Sequence, residues 1–526
     1  MRFVNGVIYT QDPDLPLAQA LACEAGRFRA VGDALEAAGT DDAFDLRGRT
    51  VLPGLIDAHA HLRSLAESRL AVDLAGSASA EEAAARVARR AAERAPGEWT
   101  IGRGWDQTAW PGGAFPSVAP LDRAAPHSPV ALRRVDGHAL WLNSAALVAA
   151  GIGDTTPDPP GGRILRDAAG RATGVALDAA MVAVEAQIPA VDEADLSAAI
   201  EGAVQECSRL GLTGIHEMGV DEQTIRIYRG LIDAGRFPLR VLGAINGPGK
   251  TWKAWRERGP ERRYRDRLSI SAIKLFADGA LGSRGAALLE PYADDPQNRG
   301  LELAAAADLE RWTRDAVDAG FQVCTHAIGD RANRTVLNVY ERVVSAGEPA
   351  DRRLRIEHAQ ILAPEDIPRF RPLGVIPSMQ PTHCTSDMGW AEARLGAARC
   401  GGAYAWRALV DSGVVVAGGS DFPVETPNPL LGIAAAVTRA RPGSGEAPWR
   451  GEQRLTRAEA VRAFTTWAAY AGFDEDVAGS IAPGKYADFV VLDRDIYTCP
   501  EAEIASTRVL LTVSGGEIVW RDPSAW

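Results

Sequence analysis

Short apolar runs alternate along this chain with longer stretches in which apolar and polar residues recur at helical spacing. Eight of the runs read as buried strands: 51–58, 212–217, 238–245, 269–278, 321–326, 354–358, 374–379 and 414–420. Helical patterns with capping signals lie among them. Thr456-Arg-Ala-Glu459 has the form of a capping box, Asp330 suits the N-cap of a helix over 331–345, and Ser79 with Glu82 suits a helix over 80–94. Strands alternating with helices eight times over predict an α/β chain closed into a (β/α)8 TIM barrel.

Both chain ends have a different texture. Residues 2–9, 18–24, 27–31 and 48–51 read as short strands. So do 487–492, 508–513 and 517–520, the last two joined by a Gly515-Gly516 hairpin. Neither end is long enough to bury a core alone, so the two are expected to combine as one composite β-sandwich, 1–50 plus 475–526, beside a barrel over 51–474. About 150 residues separate His61 from the second strand. The segment 62–205 is therefore an insertion after strand 1, leaving from the barrel face where active sites lie. It reads as a lid, with a decorative subdomain as the competing reading.

Composition narrows the function classes. The 526 residues are 46% hydrophobic and 24% charged, which is globular, and the formal charge of −12 argues against nucleic acid or an anionic membrane as partner. No apolar run is long enough to span a bilayer, and Met1–Tyr9 lacks the apolar core of a signal peptide, so a cytoplasmic protein is expected. The six cysteines are scattered without a C-x-x-C pair, as in reduced thiols rather than a disulfide frame or a cysteine zinc site.

The chemistry is concentrated in the histidines. There are eight, and five fall at the C-terminal ends of predicted strands: His59 and His61 on the first, His216 on the second, His326 on the fifth and His358 on the sixth. Asp421 follows the eighth strand and Lys274 lies near the end of the fourth. A barrel gathers such ends on one rim, and neutral imidazoles with a carboxylate suit Zn²⁺. A metal lowers the pKa of its water to about 7, and a neighbouring carboxylate, Asp421, can pass the proton to a leaving amine.

The set His59-x-His61, Lys274, His326, His358 and Asp421 resembles the amidohydrolase superfamily across essentially the whole chain. The motifs Asp136-Gly-His-Ala-Leu-Trp-Leu-Asn-Ser144, Lys274-Leu-Phe-Ala-Asp-Gly-Ala-Leu-Gly-Ser-Arg284, His326-Ala-Ile-Gly-Asp-Arg331, Arg355-Ile-Glu-His-Ala-Gln360 and Gly419-Ser-Asp-Phe-Pro423 are similar to amidohydrolase family 3, the YtcJ-like branch related to N-substituted formamide deformylases. The resemblance implies two Zn²⁺ ions. His59, His61 and Asp421 would hold one, His326 and His358 the other, and a carboxylated Lys274 would bridge them. It implies hydrolysis of a non-peptide C–N bond (amide, N-formyl or cyclic amide) in a small-molecule substrate by metal-activated hydroxide, with Asp421 as proton shuttle. A mononuclear deaminase on the same barrel is the alternative. Homodimers are common among such barrels.

For His138, His216 and Arg284 a substrate-binding role stands beside a structural one: a hydrogen-bonded insertion residue, a core histidine and a salt bridge respectively. Trp105, Trp110 and Trp141 read either as the wall of an aromatic pocket or as packing of the insertion. His127 and His383 read as surface or loop histidines, His383 being the more interesting because it follows strand seven.

Overall fold

A computed structural model describes residues 1–33, 43–135, 139–159, 162–189, 191–345 and 351–526. Eight parallel strands form the barrel: β1 (Leu55–Ala60), β2 (Leu212–Val220), β3 (Arg240–Asn246), β4 (Leu268–Phe276), β5 (Gln322–Ala327), β6 (Arg355–His358), β7 (Ile376–Met379) and β8 (Ala417–Gly418). They pair in chain order from β1 to β8, and a parallel bridge between Ala60 and Phe422 brings the last strand's extension back to the first. All eight expected strands are present. Every residue of β1, β6, β7 and β8 is buried, as two-sided burial demands of barrel strands.

The expected run 51–58 is two strands. Thr50–Pro53 pairs with Phe489–Leu492 in a sheet outside the barrel, and β1 begins after Gly54. The break has a steric cause. A Cβ on residue 54 would lie 2.1 Å from Thr213 Oγ1 on β2, so only glycine lets the chain cross from one sheet into the other there. Continuous apolar sequence hid the boundary because both halves are buried.

The chain ends build two sheets. One has four strands in the order Arg27–Gly32, Ala20–Glu24, Arg2–Val4, Ala43–Asp45. The other has six: Glu517–Arg521, Val509–Ser514, Phe489–Leu492, Thr50–Pro53, Val7–Tyr9, Leu17–Ala18. Phe3, Phe28, Val51, Phe489, Val491 and Leu511 form their shared core. The Thr456–Glu459 capping box is present at the head of helix Arg457–Ala463.

Residues 65–200 form a separate compact unit. It carries its own six-stranded sheet, from Gly162–Arg166 at one edge to Val72–Asp73 at the other. Trp105, Trp110 and Trp141 are buried in its core, with ring centroids about 6 Å apart, which settles them as packing. Among the described residues, no helix is long and apolar enough to cross a membrane.

Candidate active site

β1 delivers the first two histidines. His59 is wholly buried, His61 follows the strand, and their rings lie 5.5 Å apart. They converge on Asp421, whose Oδ1 is 3.1 Å from His61 Nε2 and 3.5 Å from His59 Nε2. Lys274 Nζ on β4 is 3.4 Å from the same His59 nitrogen. His326 on β5 and His358 on β6 complete the rim, with rings 4.5 Å apart, and the His358 ring is 4.7 Å from that of His59. The strand-end reading thus gathers His59, His61, Lys274, His326, His358 and Asp421 around one cavity.

Buried carboxylates fix this arrangement. Glu357 Oε2 accepts from His59 Nδ1 at 2.6 Å, and Arg355 donates to both oxygens of Glu357 at 2.8 and 3.0 Å. Nδ1 is thereby the protonated nitrogen and Nε2 carries the lone pair aimed at Asp421. Asp57 ties strand 1 to strand 8: its Oδ1 accepts from the His59 and Ser420 amides at 3.0 Å, and its Oδ2 from Ser420 Oγ at 2.6 Å. Glu217 accepts from the Leu62 amide, directly after His61, at 2.5 Å. Asp278 accepts from the Ile328 and Gly329 amides, just after the His326 strand, and from Ala287. Each acid straps one ligand-bearing strand end to a neighbouring element.

Two candidate ligands sit in left-handed backbone, His358 at φ 74° and Asp421 at φ 60°. Such conformations are sparse for non-glycine residues and mark functional sites when their surroundings enforce them. Here Gln380 supplies part of the enforcement. Its Nε2 donates to Ser378 O, so its Oε1 accepts from His358 Nδ1 at 2.8 Å, leaving His358 Nε2 free.

The electrostatics suit cation binding. Burial, reinforced by Lys274, lowers His59 to about 4 and His326 to about 3, so both are neutral near pH 7. Burial also lowers Lys274. Burial opposes ionisation of Asp421, but the His61 hydrogen bond and the surrounding imidazoles outweigh it and hold the carboxylate well below its ordinary range. Asp57 and Asp278 are pushed up to about 7 by burial, despite the amides they hold. Neutral nitrogens beside an ionised carboxylate are the protonation states a divalent metal requires. The ligand atoms of His59, His61 and Asp421 lie within 4.8 Å of one another, and so do those of His358, His383 and Asp421.

His383 corrects the sequence reading. It is neither a surface nor a remote loop residue: helix Pro381–Asp387, opening directly after β7, carries it to the cavity, where its Nε2 is 3.8 Å from Asp421 Oδ2. Its place just beyond a strand end was the available signal. Glu357, Asp57 and Glu217 were also missed, since acids inside apolar strands read as interruptions rather than straps.

His216 and Arg284 are each held by other partners. His216 is buried within the barrel, accepts from Arg355 Nη1 at 2.8 Å and faces the cavity lined by Gly54, Thr213 and Asp488, not the histidine cluster. Arg284 donates through two nitrogens to Asp294 at 3.2 and 3.0 Å, and Asp294 is shared with Arg394. His138 lies outside the described residues, as does 136–138 of its motif; His127 is exposed.

The cavity is about 410 Å³, a size usual for small-molecule sites. Phe276, Leu281, Ile328, Trp390 and Val424 give it apolar walls; Gln360, Asp387 and Glu425 are its polar points beyond the histidine cluster.

The amidohydrolase family model matches residues 42–520. The chain belongs to the amidohydrolase family. It is 34% identical to YtcJ of Bacillus subtilis (strain 168), covering 98% of both chains. It is 30% identical to the N-substituted formamide deformylase of Arthrobacter pascens, covering 98% of this chain and 97% of that one. Among solved structures, an uncharacterized metal-dependent hydrolase from Pyrococcus furiosus matches with a TM-score of 0.80 at 28% identity, covering 94% of this chain and 99% of that one. Family and structural neighbours together make this chain a metal-dependent hydrolase of the amidohydrolase type.

Proposed function

We propose that the protein hydrolyses a non-peptide C–N bond in a small neutral amide, N-formyl compound or cyclic amide. The observation that carries the proposal is the convergence of His59 and His61 on Asp421, with His61 and Asp421 lining a cavity that has apolar walls. His59, His61 and Asp421 would hold one divalent ion, Zn²⁺ by donor chemistry. His326, His358 and a carboxylated Lys274 would serve a second. A bound divalent ion supplies a Lewis acid that makes water acidic enough to attack a carbonyl near neutral pH.

The chain's own groups do the rest. Asp421 is ionised and lines the cavity, so its carboxylate takes a proton from the attacking water and returns it to the departing nitrogen. Glu357 keeps His59 Nε2 unprotonated and turned toward Asp421. Gln380 does the same for His358. Phe276, Leu281 and Trp390 line the cavity and offer contact to an apolar substituent. The Arthrobacter pascens relative, an N-substituted formamide deformylase, is one member of this class.

The test is a screen of N-substituted formamides, simple amides and cyclic amides with metal-loaded enzyme, following amine release. Turnover that disappears with chelator and returns with Zn²⁺ supports the reading. Release of ammonia from purines or pyrimidines, with every amide inert, would replace it with the deaminase alternative.

A further inference from the structure

We infer that His383 is a metal ligand: it would join His358 at the second of the two ion positions proposed above, where Asp421 Oδ2 faces the same point, beside the position held by His59, His61 and Asp421. The inference rests on the metal-dependent reading above and adds a residue that reading does not use.

The geometry of Asp421 is the first observation. Its two oxygens face different partners: Oδ1 faces His61 at 3.1 Å and His59 at 3.5 Å, while Oδ2 faces His383 at 3.8 Å. A carboxylate divided in this way presents one oxygen to each of two cations. The ligand atoms of His358, His383 and Asp421 all fall within 4.8 Å of one another, the same spread as in the first triad.

The unused valences are the second observation. His358 spends Nδ1 on Gln380 and keeps Nε2 free. His383 Nε2 is buried and has no hydrogen-bond partner among the described residues. A buried ring nitrogen without a partner costs free energy unless something occupies its lone pair or takes its proton, and a cation at this point would do the former. The two rings lie nearly parallel, 16° apart with centroids at 6.2 Å, so both edges can address one point without collision.

Placement is the third. Pro381 opens the short helix Pro381–Asp387, and the flanking Thr382 and Cys384 are buried, so the position of His383 is fixed by packing. The same segment supplies Gln380, which orients His358. One turn of chain after β7 thus sets both imidazoles of the triad. The inference is independent of whether Lys274 carries CO₂.

The experiment is metal content per chain after loading with Zn²⁺ and removal of free ion, on the full-length wild type, His383→Ala and His383→Asn, with visible spectra of the Co²⁺-loaded forms. We expect about two equivalents in the wild type and about one in both variants, with loss of part of the Co²⁺ absorption. Two variants guard against a folding artefact, and circular dichroism of each verifies the fold. Retention of both equivalents by folded variants, with KM raised instead, would make His383 a substrate contact and overturn the inference while leaving the hydrolase reading intact. A wild type that holds a single ion would overturn it as well, and a wild type that holds none would overturn both readings together.

Discussion

The Nδ1 of His59 donates to Oε2 of Glu357 across 2.6 Å in the centre of the barrel, where neither side chain meets solvent. The bond decides which nitrogen of His59 is left for the cation. Arg355 pays the electrostatic cost of burying Glu357, and is itself held by Ala58 O at 2.6 Å, Ser378 Oγ at 3.0 Å and His216. Glu357→Gln keeps an acceptor opposite His59 but removes the charge. Metal affinity is expected to fall by about 10–100-fold, measured by chelator competition. Unchanged affinity would mean that the pair serves folding alone.

Asp421 has two tasks, ligand and proton carrier, and Asp421→Asn separates them. An amide oxygen can still face a cation but cannot accept the proton. At saturating metal, kcat is expected to fall by about 10²–10⁴-fold. A variant within a few-fold of the wild type under those conditions would move the proton transfer to another group.

The barrel and the rim set were legible because both follow from periodicity and spacing. Eight buried strands stand out as apolar runs, and histidines at their ends share a rim whatever the loops do. What stayed hidden depends on side-chain reach across strands. Nothing local to Glu357 or Asp57 says that they hold His59, one at its ring and the other at its amide. The inward turn of His383 is not written in its position, since a residue four past a strand end can turn in or out according to the following helix, here started by Pro381. Arg284 could be read equally as a substrate clamp or a salt bridge, and only the fold brings Asp294 to it. The split at Gly54 was invisible because burial continues through it.

Gly419 offers a steric test of strand 8. A Cβ there would meet the His59 amide nitrogen at 2.6 Å and Asp57 Oδ1 at 2.7 Å, both parts of a rigid bonded group. Gly419→Ala is expected to cost about 1–3 kcal/mol by overpacking, and also to weaken metal binding because the displaced atoms position His59. Gly230, in helix Glu222–Asp233, has open space around it, so Gly230→Ala should instead stabilise by roughly 0.5–1 kcal/mol. Thermal midpoints of the two variants should move in opposite directions, and only the first should lose metal affinity.

Asp221 caps helix Glu222–Asp233: its Oδ1 accepts from the Thr224 amide and hydroxyl at 2.8 Å, and its Oδ2 from Arg63 Nη1 at 2.8 Å. Burial alone would raise its pKa, but these bonds outweigh it and leave the folded value below the ordinary 3.8. The unfolded carboxyl, titrating near 3.9, therefore takes up protons at a higher pH than the folded one. The stability linked to Asp221 is complete above that unfolded value and is lost as pH falls through the folded pKa. Asp221→Asn retains a capping acceptor without the titration. Its thermal midpoint should lie below that of the wild type at pH 7, and the difference should shrink as the pH is lowered toward about 3. A difference that stays constant over that range would show that the Asp221 charge contributes nothing to the fold.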